Sequence, residues 1–470
     1  MTPEEFRRHA HGFVDWMADY LASVGDLPVK AQVRPGEIAA RLPLQAPQAG
    51  EQMATIFDDF RHIVMPGITH WQHPSFFAYF PANSSPPSVL AEMLMATLGV
   101  NGMLWQTSPA ATELETRVME WIRDMLGLPP TFSGVIQDTA STATLCALLT
   151  ARERATGWRS NQEGLQGMSR FRVYASEETH SSIEKDVRIA GLGAANLRKI
   201  AVDEANAMRP QALAEAIEAD RRAGHQPLAI IATSGSTANG AFDPLDAIAD
   251  ISAGNGLWLH VDAAWAGSAM ILPEQRHLMR GAERADSFVF NPHKWLLTNF
   301  DCTAYLVRDV DALVRTFDIM RVYFDTKERG QAIDYRDWGI QLGRRFRALK
   351  LWFVIRSYGV AGLQALVRQH IAAAQAFAQA VRTEEDFELM APAPLALVVF
   401  RYRPAGHPAN DLDRLNSELA QRLNDGGQLY LTPGKARGAV TLRLSVGQSG
   451  TRSEHVERAW QLIRDTARTL

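Results

Sequence analysis

Cysteine is nearly absent from this chain of 470 residues: only Cys146 and Cys302 occur, so no disulfide framework can brace the fold, and a reduced compartment fits. An excess of basic charge is missing too, with 48 basic against 52 acidic residues, which leaves no positive field to hold a nucleic acid. No apolar run approaches the length of a membrane span, and the longest are strand-sized. The N-terminus, Met1-Thr2-Pro3-Glu4-Glu5-Phe6, carries acids and lacks the apolar core of a signal peptide, so a cytoplasmic address is expected. His70 and His73 have a spacing that suits a metal, but no further Cys, His or acid cluster completes a site, and none is expected. What remains is a chain long enough to bury a large core in two or three domains.

One lysine stands in an odd place. Lys294, in Asn291-Pro292-His293-Lys294-Trp295, follows the strand-like run Ser287-Phe288-Val289-Phe290 and precedes Trp295-Leu296-Leu297. Pro292 should turn the chain and present Lys294 at the C-terminal end of that strand. A lysine can snorkel its head to water from such a place. Desolvated instead, it loses proton affinity and can form a Schiff base with an aldehyde. Upstream, Gly256-Leu257-Trp258-Leu259-His260-Val261-Asp262 reads as a second buried strand, ending in a carboxylate and followed by the small pair Ala263-Ala264. Asp262 alone would serve as a turn or capping residue. Together with Lys294 it supplies what pyridoxal phosphate (PLP) requires, an amine for the aldehyde and an acid for the ring nitrogen.

Other stretches fit this pairing. Gly134-Val135-Ile136-Gln137-Asp138-Thr139-Ala140-Ser141-Thr142 leads into the helical run Ala143 to Arg154, and small and hydroxyl residues at a helix start leave unpaired N–H groups and a dipole end that suit a phosphate, although an ordinary N-cap looks the same. Ser181 or Ser182 is the expected cap of the helix after His180. Leu228-Ala229-Ile230-Ile231-Ala232 is a strand ending in Thr233-Ser234-Gly235-Ser236-Thr237, polar groups at the sheet edge where open α/β folds bind ligands. Strands near 135, 172, 230, 259 and 289 alternate with helices, which predicts a doubly wound α/β domain with a mostly parallel sheet. Phe6, Phe13, Trp16, Met17 and Tyr20 make a wide aromatic stripe on one helix, in a segment that lacks the makings of its own core.

From about Trp71 to the C-terminal helix the sequence resembles the PLP-dependent aromatic-L-amino-acid decarboxylases, the group of DOPA and tryptophan decarboxylases. The likeness is carried by His260-Val261-Asp262-Ala263-Ala264, Ala266-Gly267-Ser268-Ala269 and Asn291-Pro292-His293-Lys294-Trp295-Leu296-Leu297. It implies the fold type I, PLP-dependent transferase-like architecture and a homodimer. Lys294 would hold PLP as a Schiff base and Asp262 would face its ring nitrogen. Thr139, Ala140, Ser141 and Asn291 would hold the phosphate, with Thr237, Ala264 and His293 as further cofactor contacts. His180 would stack on the pyridine face and reach the substrate carboxylate. Trp71, Tyr79, Phe80 and Pro81 would wall an aromatic side chain. Ala82 departs from the threonine that bonds the catechol in animal DOPA decarboxylases, and its methyl group cannot replace that bond. Tyr323, in a charged stretch expected to be exposed and protease-sensitive, matches the proposed acid that returns a proton to carbon. Related aldehyde synthases carry phenylalanine there.

The expected organisation is an N-terminal helical segment over residues 1–85 docking on a partner subunit, a large PLP-binding domain over 86–350 and a small α/β domain over 351–470. The expected reaction is decarboxylation of an aromatic L-amino acid to an arylalkylamine, with aldehyde formation as the alternative outcome.

Overall fold

A computed structural model describes residues 1–319 and 331–470, so Tyr323 lies outside the described residues. The chain forms two compact units. The larger contains residues Ala82–Ile371 and Ala391–Val398; the other contains Met1–Pro81, Ala372–Met390 and Val399–Leu470.

The larger unit is built on seven strands: β1 (Ser133–Gln137), β2 (Phe171–Ser176), β3 (Leu197–Ile200), β4 (Gln226–Thr233), β5 (Trp258–Asp262), β6 (Ser287–Phe290) and β7 (Thr303–Val307). Their order across the sheet is β1-β7-β6-β5-β4-β2-β3. Only β7 runs against its neighbours; the β6/β5, β5/β4, β4/β2 and β2/β3 pairs are all parallel. Each expected central strand is present, and β3 is an addition. Residues such as Leu228, Ile230, Ile231, Leu259, Val261, Phe288 and Val289 are buried. Their near-continuous apolar runs follow from a parallel sheet covered on both faces.

Helices Ala140–Ala155 and Ser181–Ile189 pack with the sheet around a core that includes Cys146, Leu148, Val173, Ile183, Val187 and Ile231. Ser108 accepts the Ala111 amide, and Thr139 accepts that of Thr142. The helix after β2 is capped differently, by His180, whose Nδ1 accepts the Ser182 amide at 3.2 Å; neither serine is the cap. The imidazole accepts the amide two residues on, as a capping hydroxyl does, and the helix therefore starts at Ser181.

The other unit holds a four-stranded antiparallel sheet, ordered β10 (Thr432–Ala436), β11 (Ala439–Ser445), β9 (Leu397–Tyr402) and β8 (Phe387–Leu389), with β9 starting in the larger unit's last segment. The aromatic stretch near residue 76 joins this sheet: Phe76 bridges Tyr430, and the Phe77 carbonyl accepts the Ser445 amide at 3.0 Å. In the N-terminal helix Pro3–Ser23, Phe13 and Trp16 are covered by Phe57 and Phe60 of the same unit. Phe6, Val14 and Leu21 of that helix remain exposed.

Candidate active site

The site lies along the C-terminal edge of the parallel strands in the larger unit. Asp262 ends β5 and pairs in register with Val289 of β6, so the chain leaving β6 delivers Lys294 beside it. A network of backbone bonds fixes that delivery. The Asn291 amide donates to the Ala264 carbonyl at 2.9 Å, and the Lys294 amide donates to the Asn291 carbonyl at 2.9 Å. Asn83 closes the turn from outside: its amide donates to the His293 carbonyl and its side-chain nitrogen to the Lys294 carbonyl, both at 2.8 Å. Trp295, fully buried, stacks on Trp265 with ring centroids 5.1 Å apart. The residues on either side of Lys294 are therefore rigid, while Lys294 itself is half-buried.

Two histidines at the site feel the charges around them. His180 is pushed down by loss of solvent first; the Asp262 carboxylate opposes this, and the Lys294 ammonium adds to it. Its Nδ1 also faces the Ser182 hydroxyl at 2.8 Å, and because that nitrogen accepts an amide hydrogen, the neutral ring carries its proton on Nε2. His293, buried, is pushed down to about 3 by burial and then by Lys294, and its Nδ1 accepts the Cys302 amide at 2.9 Å. Both rings are neutral around pH 7.

Asp262 is 7% exposed, and its Oδ1 accepts the Ala264 amide at 3.0 Å. Behind it, His260 is fully buried between the Thr144 hydroxyl (3.1 Å) and the Ser287 hydroxyl (2.8 Å), and burial pushes it down to about 3. A neutral imidazole there adds no charge to compete with Lys294 for the carboxylate.

The helix Ala140–Ala155 supplies an anion cradle. Thr139 takes the Thr142 amide, and the amides of Ala140 and Ser141 at the first helical positions have no intrahelical acceptor. This turn is tied to the lysine turn by Thr303 of β7, whose hydroxyl lies 3.0 Å from the Asp138 carbonyl and 2.8 Å from Asn291 Oδ1. Thr237 sits half-buried on the loop after β4, and Ala264 presents a small half-buried surface beside Asp262. An amine and a carboxylate at adjacent strand ends, a small flat floor between them and open amides at a helix start match the donor set that PLP needs.

The structure thus brings Lys294, Asp262, His180, His293, Asn291, Ala264 and the 139–141 turn together in one unit. Ala82 is half-buried in that unit, next to Asn83. Trp71, Tyr79, Phe80 and Pro81 belong to the other unit. There Trp71 stacks on Tyr79 at 5.7 Å, Tyr79 meets Tyr430 edge-on at 6.0 Å, and the Arg443 guanidinium lies 5.3 Å from the Phe80 ring centroid. Asn83, Thr303 and Tyr430 did not stand out in the sequence. Among the described residues there is no group of His, Cys, Asp or Glu that could hold a metal ion, and no helix is long and apolar enough to cross a membrane.

Comparison with known proteins agrees with this donor set. The profile of the pyridoxal-dependent decarboxylase conserved domain matches residues 35–403. The chain is 44% identical to aromatic-L-amino-acid decarboxylase of Bos taurus, over 100% of this chain and 97% of that protein. It is 42% identical to phenylacetaldehyde synthase of Arabidopsis thaliana, over 99% and 96%. A crystal structure of Oryza sativa TDC with PLP and tryptamine superposes with a TM-score of 0.97 at 39% identity, covering 100% of this chain and 99% of that one. The chain belongs to the pyridoxal-dependent decarboxylases, within their aromatic-L-amino-acid group, and its cofactor is PLP.

Proposed function

We propose that the protein converts an aromatic L-amino acid to the corresponding arylalkylamine and CO₂, with Lys294 as the cofactor's covalent anchor. The observation that carries this reading is the delivery of Lys294 and Asp262 to the ends of adjacent parallel strands, with His180 sensing the charge of both. Bound PLP supplies an electron sink for the pair of electrons released when the carboxylate leaves as CO₂.

The chain's own residues do the rest. Asp262 keeps a proton on the pyridine nitrogen, so that the ring can draw those electrons. Thr139, Ala140, Ser141 and Asn291 hold the phosphate, and Thr237, Ala264 and His293 complete the cofactor's surroundings. His180, with its proton on Nε2, covers the ring and offers that N–H to the substrate carboxylate. Trp71, Tyr79, Phe80 and Pro81 wall the substrate's aromatic group, as their resemblance implies. Tyr323 donates the proton that replaces CO₂ on carbon. Ala82 gives a catechol no hydroxyl partner, which favours no one ring substituent.

The aldehyde-forming alternative is kept alive by the Arabidopsis thaliana relative, which is a phenylacetaldehyde synthase. Tyr323 favours the amine, since a phenol can return the proton and a phenyl ring cannot. The working form proposed is a cytoplasmic homodimer. Support for the dimer is the uncovered apolar surface of Phe6, Val14 and Leu21 on the N-terminal helix. Two free buried cysteines suit a reducing compartment. The test is a panel of DOPA, tyrosine, tryptophan, 5-hydroxytryptophan and phenylalanine, with amine, aldehyde and CO₂ measured for each. Amine with CO₂ supports the reading; aldehyde with ammonia and peroxide overturns it.

A further inference from the structure

Strand β11 carries a row of polar side chains that the fold around it leaves unanswered. Thr441, Arg443 and Ser445 alternate along the strand and so share one face. All three are buried, at 0%, 4% and 1% exposed. Among the described residues, Thr441 Oγ1, Arg443 Nε and Nη2 and Ser445 Oγ are shut away from solvent and have no hydrogen-bond partner. The arginine is the costly member of the row, because a buried charge is ordinarily paired. A planar cation kept in this way calls for an anion supplied from outside the fold.

The surroundings of Arg443 show which anion would fit. Its stem passes over Gly434 of β10, where a Cβ atom would stand 3.4 Å from Arg443 Cδ and 3.6 Å from Thr441 Oγ1, so the facing strand offers no side chain there. Thr432, opposite Arg443 in the β10/β11 register, is already engaged, its hydroxyl accepting the Tyr79 amide. The guanidinium lies 5.3 Å from the Phe80 ring centroid. A ring attracts a cation but gives its fork of N–H groups no acceptor. Burial lowers Arg443 to about 10, so it remains charged at pH 7, and no carboxylate among the described residues offsets that charge. Tyr79, Phe80, Thr432, Gly434 and Arg443 all belong to one unit. The group that satisfies a planar fork beside an aromatic ring is a carboxylate joined to an aromatic group.

We propose that Arg443 is a substrate-binding residue, its guanidinium taking the carboxylate of the aromatic L-amino acid whose ring Tyr79 and Phe80 wall. This rests on the reading of those two residues as the wall of the aromatic group. An aromatic amino acid carries its carboxylate a short alkyl chain away from its ring, which suits a cation set beside Phe80. The cofactor's phosphate has its own cradle at Thr139, Ala140 and Ser141, so the substrate carboxylate is the anion left to be met. Because negative charge leaves the carboxylate as CO₂ forms, a contact with it serves the bound substrate more than the transition state, and its loss belongs in KM rather than in kcat.

The experiment uses the holoenzyme and two fragments of phenylalanine: 3-phenylpropanoate, which keeps the carboxylate and lacks the amine, and 2-phenylethylamine, which keeps the amine and lacks the carboxylate. Calorimetry gives the affinity of each for the natural protein and for Arg443→Met, which fills similar space without the charge. The acid should bind the variant about ten- to hundredfold more weakly, the range of a charge-assisted hydrogen bond, and the amine equally well. A role in the fold alone would weaken both probes together or neither, and either result overturns the proposal. In turnover, KM for the amino acid should rise with kcat nearly unchanged; an unchanged KM contradicts the proposal. Natural holoenzyme that binds neither probe would overturn the aromatic-substrate reading itself, and the subsite with it. Should Arg443→Met not fold, Arg443→Lys and the neutral 3-phenylpropanamide decide instead. The natural protein should prefer the acid to the amide by about tenfold or more, and Arg443→Lys, with its charge but not its fork, should keep only part of that preference. An undiminished preference overturns the proposal.

Discussion

Lys294 is half-buried, yet the residues beside it are not free to move: Asn291 and Asn83 hold its backbone, and Trp295 is locked against Trp265. Lys294→Ala should therefore leave the fold intact and abolish turnover, with any bound PLP lacking its covalent link; mass spectrometry after borohydride reduction checks this. Thr303→Val removes the hydroxyl shared between Asp138 and Asn291. Leaving those acceptors unpaired should cost about 1–3 kcal/mol and weaken PLP binding, measurable by equilibrium dialysis. Tyr323→Phe should lose amine formation or divert it to aldehyde. Lys294 and Asp262 were legible because each carries chemistry at or just past the end of an apolar run, whereas His180, after the polar Ser176-Glu177-Glu178-Thr179, stood out only through the family resemblance. Asn83 and Thr303 were not legible, because their partners lie 211 and 165 residues away in the chain.

At the level of elements, the strand-and-helix alternation was readable from the apolar runs, since a parallel sheet buried on both faces writes them plainly. The joining of the aromatic stretch near Phe76 to the C-terminal sheet was not readable, because the Phe76–Tyr430 bridge links two segments with no shared local pattern. The cap at His180 shows the same limit on a smaller scale, for only the fold decides which of three neighbouring polar side chains reaches the amide. The loop after β4 depends on Gly235, with φ at +78° and a site where a Cβ atom would stand 2.5 Å from that of Ala266. Gly235→Ala should combine the left-handed backbone cost with a clash, roughly 2–4 kcal/mol in all. A lowered thermal midpoint together with reduced PLP affinity is the expected result, because Ala266 lies two residues beyond Ala264, the small surface beside Asp262.

For the whole molecule, buried ionisable groups set the pH range. His260 and His293 are held near 3 when folded, against 6.5 when free. The unfolded chain therefore binds more protons between those values, and stability falls as pH drops from 6.5 towards 3, by on the order of 1 kcal/mol per pH unit for each ring. Asp186, raised to about 7 from 3.8, acts in the opposite sense: its contribution is fully present below 3.8 and is lost as pH rises through 7. Between 3.8 and 6.5 the two rings outweigh the single acid, so the apoprotein should gain stability as pH rises to about 6.5 and lose a little beyond it as Asp186 ionises; thermal unfolding from pH 4 to 9 checks it.

The central claim, that Lys294 and its neighbours carry out decarboxylation to an amine, is tested most directly by carbon balance. Purified holoenzyme given an aromatic L-amino acid labelled at the carboxyl carbon should release labelled CO₂ and the arylalkylamine in equal amounts, without peroxide. Aldehyde, ammonia and peroxide in place of the amine, or no labelled CO₂ at all, would contradict it.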